Sequence, residues 1–462
     1  MTQTVTQAPL TAPRTVAAGR PPVASARSGA ADLPWWVIIA LLVFCAVYFH
    51  SKLDPGTRFS IRMGHVNYGP SWFQNQSLGP FAPADLAILG FAYLALINRV
   101  AKGWFTVSRR AVGATVLAAS VVALGTVVGI LHGTHNPFGD WRDLVMGVLF
   151  AFALWSTVLR SEEGCFRFAQ LFVIIVGAYG AVQLIQFMGG GGEIAFYGRT
   201  PTGDHATLEY MVAMVGVSLA LLRTRRSRSL WVFGALVGTA VVALGFRRYA
   251  WVELGVVYGV FLLLTDRTSR RQYLKGLFVV LVAVAVAVAM TWSQLHWSER
   301  FASLDPWQTK VENKYATTNQ GHLDEIRDGL DQVQKNPVVG LGVGITYVGQ
   351  RTARWKGDAG MVHNGIVEMW IKFGILGLVT YVGLYLALFW SIWKRRRGTR
   401  YSDLLAWGGG AFLFGNFLVN ATVYPWPFGV WEKSILIFAM IAVAFPVRPE
   451  SDNAVPIKDA VR

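Results

Sequence analysis

Apolar residues fall along the chain in long, nearly unbroken runs, without the two-residue alternation of half-buried strands. Runs long enough, or nearly so, to cross about 30 Å of hydrocarbon lie at 34–50, 84–98, 111–131, 142–159, 166–188, 205–222, 230–246, 249–264, 274–292, 364–393, 403–423 and 430–447. The pattern predicts an all-α polytopic membrane protein of about twelve transmembrane helices. Charge provides an independent check, because loops on the cytoplasmic side collect Lys and Arg. If the chain starts inside, the even-numbered connections 99–110, 160–167, 223–228, 266–275 and 394–400 contain four, two, four, four and five basic residues. The outside connections 132–141 and 189–204 contain none and one. Twelve spans with both termini inside fit this alternation.

The polar stretches complete the layout. Residues 1–34 are rich in Ala, Pro, Thr, Ser and Arg and lack periodicity, so they read as a disordered cytoplasmic tail rather than a cleaved leader. A nine-helix membrane bundle over 35–292 leads into an extracytoplasmic segment at 293–361, followed by three membrane helices at 362–447 and a short cytoplasmic tail at 448–462. Within the outside segment, 321–336 reads as an amphipathic helix on the outer, membrane-facing surface. Leu323, Ile326, Leu330 and Val333 form its apolar stripe, with Asp324, Glu325, Asp328, Asp331 and Lys335 opposite. His322 falls on the apolar stripe, turned toward the same region as His363.

Composition removes other classes. The 462 residues are 53% hydrophobic and only 15% charged, which excludes an ordinary soluble domain. A formal charge of +16 raises the question of nucleic acid, but the basic residues sit in short clusters between apolar runs and act as topology signals, so no nucleic-acid partner is expected. Two cysteines, with no Cys or His at ligand spacing, suggest neither a disulfide framework nor a zinc site.

Four places carry candidate chemistry. Arg247 and Arg248, in the stretch GFRRYAW at 245–251, occupy a tight turn on the outer side against the charge rule. Arginine there suits a phosphate or diphosphate, which its planar fork meets bidentately; the alternative is snorkelling to lipid phosphate. His363 and Asn364 begin the run MVHNGIVEMWIKFGILG, where the polar segment meets the membrane. On a wheel of about 100° per residue His363 shares a face with Val367, Trp370, Gly374 and Gly377, and the helix N-terminus keeps its imidazole neutral. A neutral imidazole is a proton acceptor; capping the helix is the alternative. Lesser candidates are Arg199, with Asp204, His205 and Glu209 at the mouth of the sixth span, and the intramembrane Glu253. The glycine-rich stretch 339–345 reads as a close-packed turn, since no Lys-Ser or Lys-Thr follows it.

In these motifs the chain resembles the O-antigen ligase and O-antigen polymerase superfamily of bacterial membrane glycosyltransferases. His363 and Asn364, followed by Glu368 and the Gly374 to Gly377 end, are similar to the family's His-Asn segment. Residues 336–342, NPVVGLG, are similar to its Pro-x-x-Gly-x-Gly turn, and 246–251 to its Ser-Arg-Gly-Ala-Trp stretch. Arg199 with 201–205 is similar to a looser motif before the sixth span.

The resemblance implies a GT-C-like, metal-independent enzyme without cofactors. It would move a glycan from an undecaprenyl-diphosphate carrier to a glycan or lipid-core acceptor, as in lipopolysaccharide or other surface-polysaccharide synthesis. The site would face outward from the bacterial cytoplasmic membrane, in contact with membrane lipids. Arg248, or Arg247, which stands where the family has Ser, would bind the diphosphate, and His363 would act as base. Asn364, Glu368, Arg199, His322 and Arg327 would support them, and Trp355 and Trp370 could stack on sugar. His322 occupies the place of a second loop arginine, which leaves Arg327 or Arg351 for that role, or its loss. Ligase and polymerase share these motifs, and a transporter or flippase of the same glycolipid is the alternative class.

Overall fold

The computed structural model describes residues 39–40, 59–61, 64–66, 83–101, 109–133, 138–186, 205–245, 247–265, 267–290, 314–344, 351, 362, 364–396, 398–422 and 431–445. The helices are α1 (Pro83–Ala101), α2 (Arg109–Leu131), α3 (Phe138–Ser156), α4 (Glu162–Gln186), α5 (His205–Leu221), α6 (Arg228–Leu244), α7 (Arg248–Leu264), α8 (Arg267–Met290), α9 (Lys314–Lys335), α10 (Gly365–Arg395), α11 (Tyr401–Thr422) and α12 (Trp431–Ala444). An antiparallel hairpin pairs β1 (Phe59–Ile61) with β2 (Gly64–Val66). Every predicted apolar run except the first is a helix, as is the amphipathic stretch, though α8 and α9 begin at Arg267 and Lys314, ahead of their expected starts; the run 34–50 lies outside the described residues apart from Ile39 and Ala40. Among the described residues, Glu162–Ile185 and Gly365–Arg395 are by length and composition apolar enough to cross a membrane, and six shorter apolar stretches accompany them.

Contacts along the helices define their directions. Asp85 meets Arg142 at the start of α1 and α3, with the Arg142 Nε at 2.9 Å, and Arg99 reaches Ser156 at their other ends, so these two run parallel. Helices α5 and α11 cross antiparallel: Gly216 and Gly408 meet backbone to backbone, and Asn416 bonds Glu209 at 3.0 Å. Antiparallel α7 and α11 put Phe261 against Trp407, ring centroids 4.6 Å apart, and Glu253 against Gly415. Through these pairs the basic connections gather at one end. Arg226 and Glu163 form a salt bridge of 2.7 Å there, Ser402 donates to Glu162, and Arg223 donates to the carbonyl of Arg396.

Helix α11 is the centre of the bundle. Three successive residues face three neighbours: Gly415 packs on α7, Asn416 bonds α5, and Phe417 stacks on Tyr385 of α10 with centroids 4.1 Å apart. Tight helix crossings of this kind suit a lipid-embedded bundle, where close van der Waals packing drives association.

Candidate functional site

The opposite end carries the candidate chemistry. Helix α6 stops at Leu244, where the Gly245 N–H bonds the Val242 carbonyl at 3.2 Å, and α7 starts at Arg248 with Arg247 as its extended N-cap. Trp251 locks the turn by donating its indole N–H to the Val242 carbonyl at 3.0 Å, and Gly245 packs on Leu208 in the first turn of α5. The tight turn expected of the arginines is therefore present. It sets both at a helix N-terminus, where free N–H groups and the helix dipole favour anions. Arg247 is half-buried; the side chain of Arg248 lies outside the described residues.

At the same end α10 begins at Gly365, capped by Asn364, whose side-chain oxygen accepts the Val367 N–H at 3.0 Å. His363, expected on a seam of α10, lies outside the described residues; after it in sequence come the N-cap, Asn364, and the first helical residue, Gly365. The two neighbours of His363 are pinned. Beside the Asn364 cap, the buried Val362 N–H is bonded at 2.9 Å by the Glu368 carboxylate, whose other oxygen lies 3.2 Å from Lys372 Nζ. Both side chains of that ion pair are buried, 1% and 7% exposed.

The expected seam is corrected at Gly374, where α10 is broken by a residue at φ 63° and ψ −162°. What approaches there is the 337–344 turn rather than another helix. The Leu341 N–H bonds the Ile371 carbonyl at 2.6 Å, the Gly342 N–H bonds Lys372 at 3.0 Å, and Ile375 returns its N–H to Pro337 at 3.1 Å. The inserted turn thus satisfies backbone groups that the break releases, the condition for irregular backbone within a membrane bundle. Its far side rests on α2, where Val343 donates to the Gly125 carbonyl and a methyl on Gly342 would collide with the backbone of Gly129. The expected close-packed turn is what these contacts describe.

Helix α9 docks on this assembly through Ile326, Gly329 and Val333 against Val362, Val367 and Ile371. Its orientation corrects the expected stripe: Leu323 and Leu330 are exposed, 50% and 38%, while Glu325 and Asp328, expected on the polar face, are both 2% exposed. Asp328 is buried with donors. Arg351 gives it a backbone N–H at 3.1 Å and a guanidinium N–H at 3.1 Å, and bridges to Asp331 at 2.7 Å. The hydrogen-bonded Asp331 carboxylate holds Arg351 above the ordinary arginine range. Arg327 pairs with Asp324 at 3.4 Å in an exposed i,i+3 contact. The side chain of His322 lies outside the described residues, as do Arg199 and Trp355 altogether. Trp370, considered for stacking on sugar, uses its indole N–H on the Pro337 carbonyl at 2.8 Å.

Inside the bundle, sequence reasoning missed Asn416, Tyr381 and Tyr385. Glu209 accepts from the Asn416 side-chain amide at 3.0 Å, and the side chain of His205 lies outside the described residues. Tyr381 and Tyr385 meet edge to face at 5.0 Å. A polar residue within an apolar run, such as Asn416 in LFGNFLVNAT, was the available signal.

An apolar helical bundle with the arginine turn and the Asn364 cap at one end, a broken helix and a backbone turn inserted at the break has the character of an integral membrane protein. Residues 233–382 match the family described as O-antigen ligase, which supports the chain's place in the O-antigen ligase and polymerase superfamily. No curated protein matches the chain. Of the candidates read from the sequence, the matched region contains all except Arg199, Asp204, His205 and Glu209; Tyr385 and Asn416 also lie outside it.

Proposed function

We propose that this protein is a multi-pass glycosyltransferase of the cytoplasmic membrane that moves a glycan from an undecaprenyl-diphosphate carrier to an acceptor hydroxyl at the outer face. The observation that carries the reading is the family match over 233–382, which holds the Arg247–Arg248 turn and the His363–Asn364 segment together. Twelve spans, with both termini inside and the segment at 293–361 outside, complete it.

In this reaction the bond between the anomeric carbon and the carrier phosphate breaks, and its electron pair goes to the departing diphosphate. Arg248 or Arg247, at the N-terminus of α7, stabilises that developing charge. The acceptor oxygen forms the new bond to the anomeric carbon and gives its proton to the His363 imidazole, which later releases it to water. Asn364 and Glu368 order the residues beside His363.

Deleting the gene and analysing the carrier-linked glycan tests the function. Long chains accumulating on the carrier define a ligase, single repeat units define a polymerase, and unchanged carrier-linked glycan refutes the reading.

A further inference from the structure

Glu368 makes two contacts that a capping carboxylate does not need. Its oxygens divide between the buried N–H of Val362, six residues back, and the ammonium of Lys372, one turn on. Val362 is fully buried, and its N–H precedes the helix, so no helical carbonyl serves it. Leaving such a donor without an acceptor costs about 1–3 kcal/mol. Two residues on, the Asn364 side chain is tied to the Val367 N–H. The main chain is therefore anchored on each side of His363, with one residue between the anchors.

We propose that Glu368 is a positioning residue: as acceptor for the Val362 N–H, with Lys372 as its counterion, it fixes the approach of the main chain to His363 while Asn364 fixes the departure. This rests on the reading of His363 as the base. The cost of losing the clamp falls on geometry, since a shift of about 1 Å in a reacting group costs on the order of a hundredfold in rate. Binding of the donor, assigned to the arginine turn on α7, is left intact.

The charge and the hydrogen bond are separable. Removing one member of the pair leaves the other charge buried and compromises folding, so the pair is replaced together. Glu368→Gln/Lys372→Met removes both charges and keeps an acceptor for Val362. Glu368→Leu/Lys372→Met removes the acceptor as well. Each full-length variant is solubilised and assayed with carrier-linked glycan extracted from the deletion strain, and its membrane abundance is measured.

The Leu/Met variant is expected at normal abundance with kcat lowered about thirtyfold or more and the donor KM within about threefold, whereas the Gln/Met variant recovers kcat to within about threefold of wild type. A Leu/Met variant with wild-type kcat overturns the proposal, and so does one whose loss lies in KM. If that variant fails to accumulate, the Gln/Met variant decides: recovery supports the clamp, and a loss above about tenfold at normal abundance overturns it. His363→Asn separates the two claims. A near wild-type rate there overturns the base reading itself, while a loss of about a hundredfold beside a fully active Leu/Met variant overturns the clamp alone.

Discussion

Arg247 and Arg248 differ in what the fold asks of them. Arg247 is the extended N-cap of α7 and Arg248 its first helical residue, so both sit at a helix N-terminus, whose dipole already favours an anion. The chemistry of the guanidinium then adds a fork that an ammonium cannot copy. Arg248→Lys is expected to lower glycan transfer by about ten- to a hundredfold, the worth of one charge-assisted hydrogen bond of about 1.5–3 kcal/mol, with membrane abundance unchanged. Transfer measured in membranes at the wild-type rate would move the diphosphate contact to Arg247. The tight turn and its arginines were legible because two charges between apolar runs stand out. The buried Asp328 was not legible: an isolated carboxylate reads as a solvated face, and the donor that allows its burial, Arg351, lies 23 residues further on.

Among the elements, α10 carries the most information, because it is two helical pieces joined at Gly374. Its positive φ and the nearness of the Val338 carbonyl, with which a methyl group would collide, tie the break to the 337–344 turn. Gly374→Ala is expected to cost about 2–5 kcal/mol, combining backbone strain with overpacking. Gly383→Ala in the same helix is the control, since a methyl there meets nothing within 4 Å and alanine is the better helix former. Thermal unfolding of the solubilised variants should show a fall of several degrees for the first and none for the second; equal melting would mean the break is not held by this contact. A helical wheel missed the break because it assumes an unbroken helix, and a glycine in an apolar run signals close packing without saying what packs. In α9, which is unbroken, the wheel misplaced the buried face for a different reason: the docking surface of α10 and the Arg351 contacts outweigh the hydrophobic stripe.

At the scale of the whole molecule, the described basic connections share one end of the bundle, and the arginine turn, the Asn364 cap and the glycine turn lie toward the other. Cytoplasmic loops hold the basic residues, so reporter fusions after Arg110, Arg228 and Arg397 should report the cytoplasm and a fusion near Thr318 the outside. A cytoplasmic signal at Thr318 would remove the outward-facing site, and with it the access of a carrier-linked donor from that side. What the sequence determined by itself is the class of molecule and the helices with their approximate bounds, because burial in lipid demands long apolar runs and charge is costly enough there to mark its own position. Only the tertiary structure decided where α10 breaks, that the inserted turn satisfies the break, that Glu368 turns back to Val362, and that Asn416 binds Glu209 in the centre of the bundle. Those outcomes depend on backbone groups and side chains brought together from segments far apart in the chain, and hydrogen-bond pairing of that kind leaves no periodic trace along it.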